Sequence, residues 1–164
     1  MSYTAFSGFD HVASGSLPEV YTACRELPGA LIYDDRTGRI EDIDPRFLPS
    51  GEPERGPGRP KLGVVAREVT LLPRHWDWLA SQPGGASVAL RKLVEAARNS
   101  PGAMKAATRN AAYRFATSIA GDAPGYEDAM RALFAGEREE FFARIEAWPQ
   151  AVQAQLEKMT KEAF

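Results

Sequence analysis

A run of ten residues near the middle of the chain limits how the whole chain folds, because proline and glycine dominate it. Pro49 through Gly58 contains three prolines and three glycines. Proline lacks the backbone N–H that helices and sheets use, and glycine loses much backbone entropy when it is ordered. The sequence therefore predicts a flexible, extended basic linker over residues 49–61, with structured segments before and after it.

The first segment, residues 1–48, has the pattern of a small ββαββ module. Short runs of strand-forming residues alternate with turn signals, and Ser16 stands where a helix N-cap is expected. The predicted elements are strands at 3–6 and 11–13, a helix at 17–27, and strands at 30–33 and 39–44. A module of this size is only marginally stable alone.

The chain after the linker begins with a predicted strand over 62–72 and is helical from there on. Pro73 suits the first turn of a helix, and Ser87 is predicted to cap the next one. That next helix carries an amphipathic stripe at Leu90, Leu93, Val94 and Ala97. Residues 62–100 form one predicted segment and residues 101–164 a C-terminal helical region. The fold class is therefore α+β, with a small sheet module followed by a strand and a mainly α-helical bundle.

Composition excludes several classes of protein. The single cysteine, Cys24, allows neither an intrachain disulfide nor a cysteine-rich metal site. The N-terminus lacks the pattern of a signal peptide, and no apolar run is long enough to span a membrane. We expect a soluble, cytoplasmic protein without a cofactor, a metal or a membrane partner.

Charge is distributed unevenly along the chain. The formal net charge is −2, yet residues 51–114 carry 11 basic and 5 acidic side chains, a net charge of +6. The segments on either side, 1–50 and 115–164, are each at −4. A basic middle indicates an anionic partner such as double-stranded DNA, although basic and acidic segments that neutralise each other across the fold give the same pattern.

The basic middle contains Arg67-Glu68-Val69-Thr70-Leu71-Leu72-Pro73, Trp76, Leu79, Gly84-Gly85-Ala86-Ser87 and Leu90-Arg91-Lys92-Leu93-Val94-Glu95-Ala96-Ala97. This pattern resembles the ribbon-helix-helix fold. In that family a short strand pairs with its copy in a second subunit, the two-stranded ribbon enters the DNA major groove, and the second helix points its N-terminus at a phosphate. The resemblance implies a homodimer that binds DNA.

The resemblance assigns phosphate contacts to the second helix, where Ser87 leaves backbone N–H groups free and Arg91 and Lys92 follow one turn later. The strand departs from the family's pattern in both registers. With Val69 and Leu71 inward, the set facing the groove is Ala66, Glu68 and Thr70; in the other register Arg67 faces the groove together with Val69 and Leu71. Neither register gives the usual polar and basic triplet, which favours phosphate contacts with modest base reading by Thr70.

Gly58-Arg59-Pro60-Lys61, just before the strand, looks like most of an AT-hook core. In that motif an extended Arg-Gly-Arg-Pro lies in a narrow A·T minor groove. Pro57 stands where the first arginine of the motif belongs, so the match is incomplete. The motif adds Arg59 and Lys61 to the candidate DNA contacts.

A second resemblance rests on four runs of residues, Gly58 through Leu79, Asp34-Asp35-Arg36-Thr37-Gly38-Arg39, Ala120-Gly121-Asp122 and Trp148-Pro149. Through them most of the chain is similar to an uncharacterised bacterial family, domain of unknown function 2239, which brings no established activity.

Two further groups of polar residues have alternative interpretations. Asp34, Asp35, Asp42 and Asp44 either converge across a hairpin to hold a hard cation or serve as turn-forming and solvated carboxylates. His75 and Asp77 lie two residues apart on one helix and so point to different faces, which favours a helix anchored by Trp76 over a catalytic pair.

The sequence thus leads to three hypotheses about function. The first is a dimeric DNA-binding protein, a transcriptional regulator that binds mainly through phosphates, with Arg59, Lys61, Arg67, Thr70, Ser87, Arg91 and Lys92 as its contacts. The second is a protein-interaction, adaptor or antitoxin-like module that uses the same scaffold only to dimerise. The third, an enzyme with His75 as a base, has no supporting motif. We therefore predict no catalytic residues and no metal ligands.

Overall fold

The structure is a computed structural model that describes residues 2–42, 63 and 65–164. Over these residues it is α+β, as the sequence predicts, with a small antiparallel sheet followed by a mainly helical region. None of the helices described is both long enough and apolar enough to cross a bilayer. The strands are β1 (Tyr3–Ser7), β2 (Asp10–Gly15) and β3 (Leu31–Asp34); the helices are α1 (Leu17–Cys24), α2 (Pro73–Ala80), α3 (Gly85–Arg98), α4 (Pro101–Ala120), α5 (Tyr126–Ala135), α6 (Arg138–Arg144) and α7 (Gln150–Met159).

The described residues form two compact units. The sheet unit combines those within Met1–Leu48 with Pro101–Phe164, and the hairpin unit comprises those within Pro49–Ser100. The N-terminal module and the C-terminal helical region, which the sequence separates, therefore share one unit. The predicted linker at 49–61 lies outside the described residues.

The central strand of the sheet, β1, is buried on both faces. The strand order is β2-β1-β3, with every neighbour antiparallel. Adjacent residues of a strand point to opposite faces; accordingly, Ala5 packs with Val20 of α1 on one face and Phe6 packs with Phe115 of α4 on the other. The sheet is thus a middle layer between α1 and the C-terminal helices, which explains why the N-terminal module needs those helices.

Three aromatic rings form the centre of the larger core. Phe6, Tyr33 and Phe115 are at most 1% exposed, and their ring centroids lie 5.0 to 6.3 Å apart. The Tyr33 hydroxyl accepts a hydrogen bond from Ser118 Oγ at 3.1 Å, which satisfies its polar end. Burial raises the pKa of Tyr33 despite this hydrogen bond.

The turn after β3 is fastened to α7 through one carboxylate. Asp35 accepts hydrogen bonds from Ser2 Oγ (2.6 Å), Thr4 Oγ1 (2.7 Å), Gln155 Nε2 (2.8 Å) and Lys158 Nζ (2.8 Å). Burial works to raise the pKa of the Asp35 carboxyl, but these hydrogen bonds, led by that from Lys158, outweigh it and hold the pKa below its ordinary value. The charged carboxylate therefore joins the N-terminal sheet to the last helix.

The same turn lies directly against the backbone of α4. Gly38 has a φ of +66°, and a Cβ at this position would overlap the carbonyl group of Ala111. Arg114 on α4 donates from Nη1 to the carbonyl of Thr37 at 3.0 Å. Glycine is required here both for the left-handed backbone and for the close approach of two main chains.

The strand predicted at 39–44 is much shorter in the structure. Of its described residues, Ile40 alone pairs, as an isolated bridge to Tyr33, and Asp44 lies outside the described residues. The Asp34 side chain ends β3 by accepting hydrogen bonds from the Arg36 N–H and the Thr37 hydroxyl. Ile40 is 47% exposed, so little apolar burial favours a longer pairing.

The strand predicted at 62–72 is also not formed in the single chain. Residues 65–72 have no regular secondary structure, and they do not join the β2-β1-β3 sheet. Leu62 lies outside the described residues. A segment without a partner strand has no ladder of hydrogen bonds to hold it in the strand conformation.

We expect Gly38→Ala to lower the free energy of unfolding by at least about 2 kcal/mol, because the added methyl meets the Ala111 carbonyl and the left-handed backbone is strained. Gly29→Ala is a matched control, since Gly29 has a φ of +83° but open space around it. Strain alone predicts a loss of about 1 kcal/mol for this control. Urea denaturation measures both; equal losses would contradict the close contact.

We expect Asp35→Asn to lower the free energy of unfolding by about 2 kcal/mol at pH 7, because it removes charge-assisted hydrogen bonds. The folded-state pKa of Asp35 is lowered, so its stabilisation is complete above the unfolded pKa of about 3.9 and is lost as pH falls through the folded pKa. Urea denaturation at pH 7 and at pH 3 should therefore show a smaller difference between variant and parent in acid. A difference that stays constant between the two pH values would refute this assignment.

Candidate functional site

The hairpin unit consists of two helices joined by a glycine turn. Pro73 begins α2, where the proline's missing N–H has no intrahelical partner to lose. The turn after α2 closes with a hydrogen bond from the Gly85 N–H to the Gln82 carbonyl at 2.9 Å. Gly84 and Gly85 have φ values of +87° and +74°, which allow the chain to reverse and begin α3.

The hairpin unit buries few of its own side chains. Within residues 65–100 only Leu79 and Ala89 are buried. A surface cavity of about 280 Å³ lies between the two helices, and its walls are mostly apolar. The residues that line it are Leu71, His75, Trp78, Leu79, Leu90 and Leu93.

Large apolar side chains of the hairpin unit remain exposed beside this cavity. Trp78 is 51% exposed, Leu93 48% and Val94 61%. Single exposed apolar residues are ordinary on a protein surface, but a contiguous group indicates an interface. The other exposed apolar residues of this unit are Val65, Val69, Leu72 and Trp76.

The structure brings two of the predicted DNA contacts together. Arg91 Nη1 donates to Ser87 Oγ at 3.1 Å, one turn apart on α3. The prediction that Ser87 is the N-cap is wrong: Gly84 is the N-cap, so α3 begins at Gly85 and Ser87 lies inside its first turn. The glycine pair permits this earlier start. The first turn of α3 still carries backbone N–H groups with no i−4 partner, next to the Arg91 guanidinium.

The remaining predicted contacts lie apart from this pair. Lys92 is exposed on α3, and Arg67 and Thr70 are exposed on the irregular stretch before α2. Glu68 is exposed between them and places a negative charge beside Arg67. Arg59 and Lys61 lie outside the described residues.

Two of the four aspartates considered as metal ligands, Asp34 and Asp35, have other partners. Asp34 closes its own turn, and Asp35 binds the hydroxyl, amide and ammonium groups described above. No group of three or more His, Cys, Asp or Glu side chains converges as a metal site in the part of the chain that the structure describes. Turn formation and ion pairing account for the positions of both carboxylates.

The structure pairs a histidine and a serine that sequence reasoning did not connect. His11 Nε2 lies 2.8 Å from Ser14 Oγ, which lies 3.1 Å from Thr4 Oγ1. Thr4 gives its one hydroxyl hydrogen to Asp35, so Ser14 donates to Thr4 and His11 Nε2 donates to Ser14. A serine nucleophile must instead donate to the imidazole, so this chain of hydrogen bonds does not activate Ser14.

His75 has no catalytic partner on its own helix. It is exposed on α2 and lines the apolar cavity, and Asp77 is exposed two residues later on the same helix. Residues two apart on a helix do not face each other. The His75 and Asp77 side chains therefore point to different faces of α2.

Sequence reasoning missed the feature that dominates the hairpin unit, its exposed apolar surface. Trp76 was expected to anchor a core, yet it is 39% exposed and only Leu79 of α2 is buried. The sequence did contain a sign of this surface. Trp76 and Trp78 lie two residues apart on α2, so they point to different sides of the helix and a core on one side cannot bury both.

Comparison with known proteins gives a family but no activity. No curated protein and no solved structure matches the chain. A family model described as an uncharacterised protein conserved in bacteria (DUF2239) matches residues 2–160, which is nearly the whole chain. The chain therefore belongs to this bacterial family, DUF2239.

Proposed function

We propose that this protein is a dimeric DNA-binding protein, a transcriptional regulator that binds duplex DNA mainly through phosphate contacts from the hairpin unit. The observation that carries the proposal is that this unit exposes basic and apolar side chains together. Arg91 lies beside the N-terminal turn of α3, where backbone N–H groups and a guanidinium favour one anion. Arg67 and Lys92 are exposed in the same unit.

The charge of the two units supports the same proposal. Residues 49–100 carry 8 basic and 5 acidic side chains, a net charge of +3. Residues 1–48 and 101–164 together carry 12 basic and 17 acidic side chains, a net charge of −5. A polyanion is attracted by the first and repelled by the second, so DNA is directed to the hairpin unit.

The exposed apolar surface supports dimerisation through the hairpin unit. In the proposed dimer, Trp78, Leu93 and Val94 are covered by a second copy, and residues 66–71 of the two chains pair as a ribbon. Pairing gives the irregular stretch its missing hydrogen-bond partner and satisfies its exposed edge. It also places two sets of Arg67 and Arg91 side by side for one duplex.

A protein-interaction, adaptor or antitoxin-like module is the second candidate. Trp76 and Trp78 are both exposed, and tryptophan is among the residues most enriched at protein-binding hot spots. Glu68 favours this candidate as well, because a carboxylate between Arg67 and Thr70 repels phosphate. In this alternative the hairpin unit binds another protein and the basic residues only set the orientation.

DNA binding by the hairpin unit should depend on salt and on α3. For a mixed pool of labelled duplexes, we expect fluorescence anisotropy to show affinity that falls as salt rises. Arg91→Ala/Lys92→Ala should weaken binding at low salt and reduce the slope of log affinity against log salt by about 2. Arg59→Ala/Lys61→Ala should also weaken binding.

Arg131→Ala/Lys161→Ala is the matched control, because it removes two exposed positive charges from the sheet unit. It should leave the salt slope unchanged. Absence of binding at low salt, or equal losses in the α3 variant and the control, would reject the DNA proposal and leave the protein-interaction module.

Dimerisation should depend on the apolar surface of the hairpin unit. We expect sedimentation to give a dimer for the parent chain and a monomer for Leu93→Glu, because the charge would be buried in the interface. Phe134→Glu is the control, since Phe134 in the sheet unit is 47% exposed and Leu93 is 48% exposed. A parent chain that sediments as a monomer, or dissociation by both variants, would be inconsistent with this interface.

A further inference from the structure

The sheet unit contains a second cavity that the proposed DNA binding does not use. Its volume is about 450 Å³, within the range of small-molecule sites. Three separate parts of the chain form it: Phe9 in the turn between β1 and β2, residues 117–124 at the end of α4 and after it, and residues 147–149. The runs Ala120-Gly121-Asp122 and Trp148-Pro149 therefore meet here, although 26 positions separate Asp122 from Trp148.

Hydrogen bonds and ring packing hold the walls of this cavity in place. Trp148 Nε1 donates to the Pro124 carbonyl at 2.8 Å, and the Trp148 ring stacks on Tyr126 with 6.3 Å between centroids. The Tyr126 hydroxyl lies 2.6 Å from Thr117 Oγ1, which donates to the Tyr113 carbonyl. A site formed before its ligand arrives loses little entropy when it binds.

The charges and the end of the helix dipole around the cavity are all negative. Among the described residues that line it, Asp122 is the one charged side chain, and it is exposed. The 20-residue helix α4 ends at Ala120 in the cavity wall, and the carbonyl end of a helix carries a partial negative charge. The sheet unit as a whole has a net charge of −5. A cation is attracted here and an anion is repelled.

An aromatic ring stands at the edge of the cavity. Phe9, in the turn between β1 and β2, is 50% exposed, so its ring is open to a ligand. The face of a phenylalanine ring attracts an ammonium or guanidinium group and also covers an alkyl chain. Ile119, Ala147 and Pro149 add apolar wall.

We propose that this cavity binds a small organic cation, a guanidinium or ammonium group on a short apolar chain, with Asp122 as its counter-ion and Phe9 as its cover. The cation approaches the carboxylate and the last carbonyl groups of α4, while the apolar chain contacts Phe9 and the ring edge of Trp148. A free amine and an arginine or lysine side chain of a peptide present the same chemistry. The proposal is independent of DNA binding.

The test is a titration of the full-length chain with n-butylguanidinium, followed by two-dimensional NMR of the tryptophan indole N–H groups. The chain has three tryptophans, so Trp76→Phe and Trp78→Phe variants identify the Trp148 signal. We expect a saturable shift of the Trp148 signal and none of the other two, which belong to the hairpin unit. The neutral isostere n-butylurea should bind at least about fivefold more weakly, since it lacks the charge.

Two exposed substitutions test the assignment without disturbing the core. Asp122→Asn should weaken n-butylguanidinium binding by about fivefold or more and remove the preference over n-butylurea. Phe9→Ala should weaken both ligands. An arginine-containing pentapeptide, Gly-Gly-Arg-Gly-Gly, is titrated in parallel, and binding of either cation supports the proposal. Tighter binding of the pentapeptide would identify a peptide side chain as the natural ligand, and tighter binding of n-butylguanidinium would identify a free small cation. No saturable shift with either cation, equal binding of n-butylurea, or unchanged binding in Asp122→Asn would overturn it.

Discussion

The sheet unit depends on the partly buried carboxylate of Asp35. The Asp35 side chain is 11% exposed and is held by groups from both ends of the chain, of which Lys158 is 123 residues away in sequence. Partial burial penalises a carboxylate that lacks such partners, so the turn after β3 and helix α7 stabilise each other through Asp35. Gly38, pressed against α4, imposes the same requirement on a second helix. The small sheet is therefore one layer of a larger unit and not a domain of its own.

Local signals in the sequence predict most of the individual elements. Pro73 marks the start of α2, the stripe at Leu90 and Leu93 marks α3, and the α+β class is confirmed. The sequence does not predict how these elements pack together, because the contacts of Asp35 and Gly38 join residues that are far apart along the chain. The start of α3 was misplaced for a local reason: Ser87 is a good cap, but the glycines before it allow the helix to begin earlier.

In the candidate sites too, contacts between neighbours along the chain are predictable and contacts between distant residues are not. The pairing of Ser87 with Arg91 is predictable, because residues four apart on a helix are neighbours. The strand predicted at 62–72 is irregular over residues 65–72, because a local pattern of apolar residues does not supply the partner strand that a strand needs. The cavity at Asp122 is harder still to predict from the sequence, because its walls come from three separate segments. Nothing in the residues around Phe9 or Trp148 indicates that the two lie close together.

The hairpin unit buries too few of its own apolar side chains to be more than marginally stable alone. Helices as short as α2 and α3 are marginal unless they bury an apolar face, and residues 65–100 bury only Leu79 and Ala89. Full burial of a large apolar side chain contributes about 1.5–3 kcal/mol. Trp78, Leu93 and Val94 are 51%, 48% and 61% exposed, so covering their remaining surface would contribute roughly 2–5 kcal/mol. A DNA duplex presents mainly phosphates and base edges, and it does not supply this burial. Both candidate functions therefore share one step, the covering of this surface by protein, and they differ in whether Arg91 and its neighbours are left free to bind phosphate afterwards.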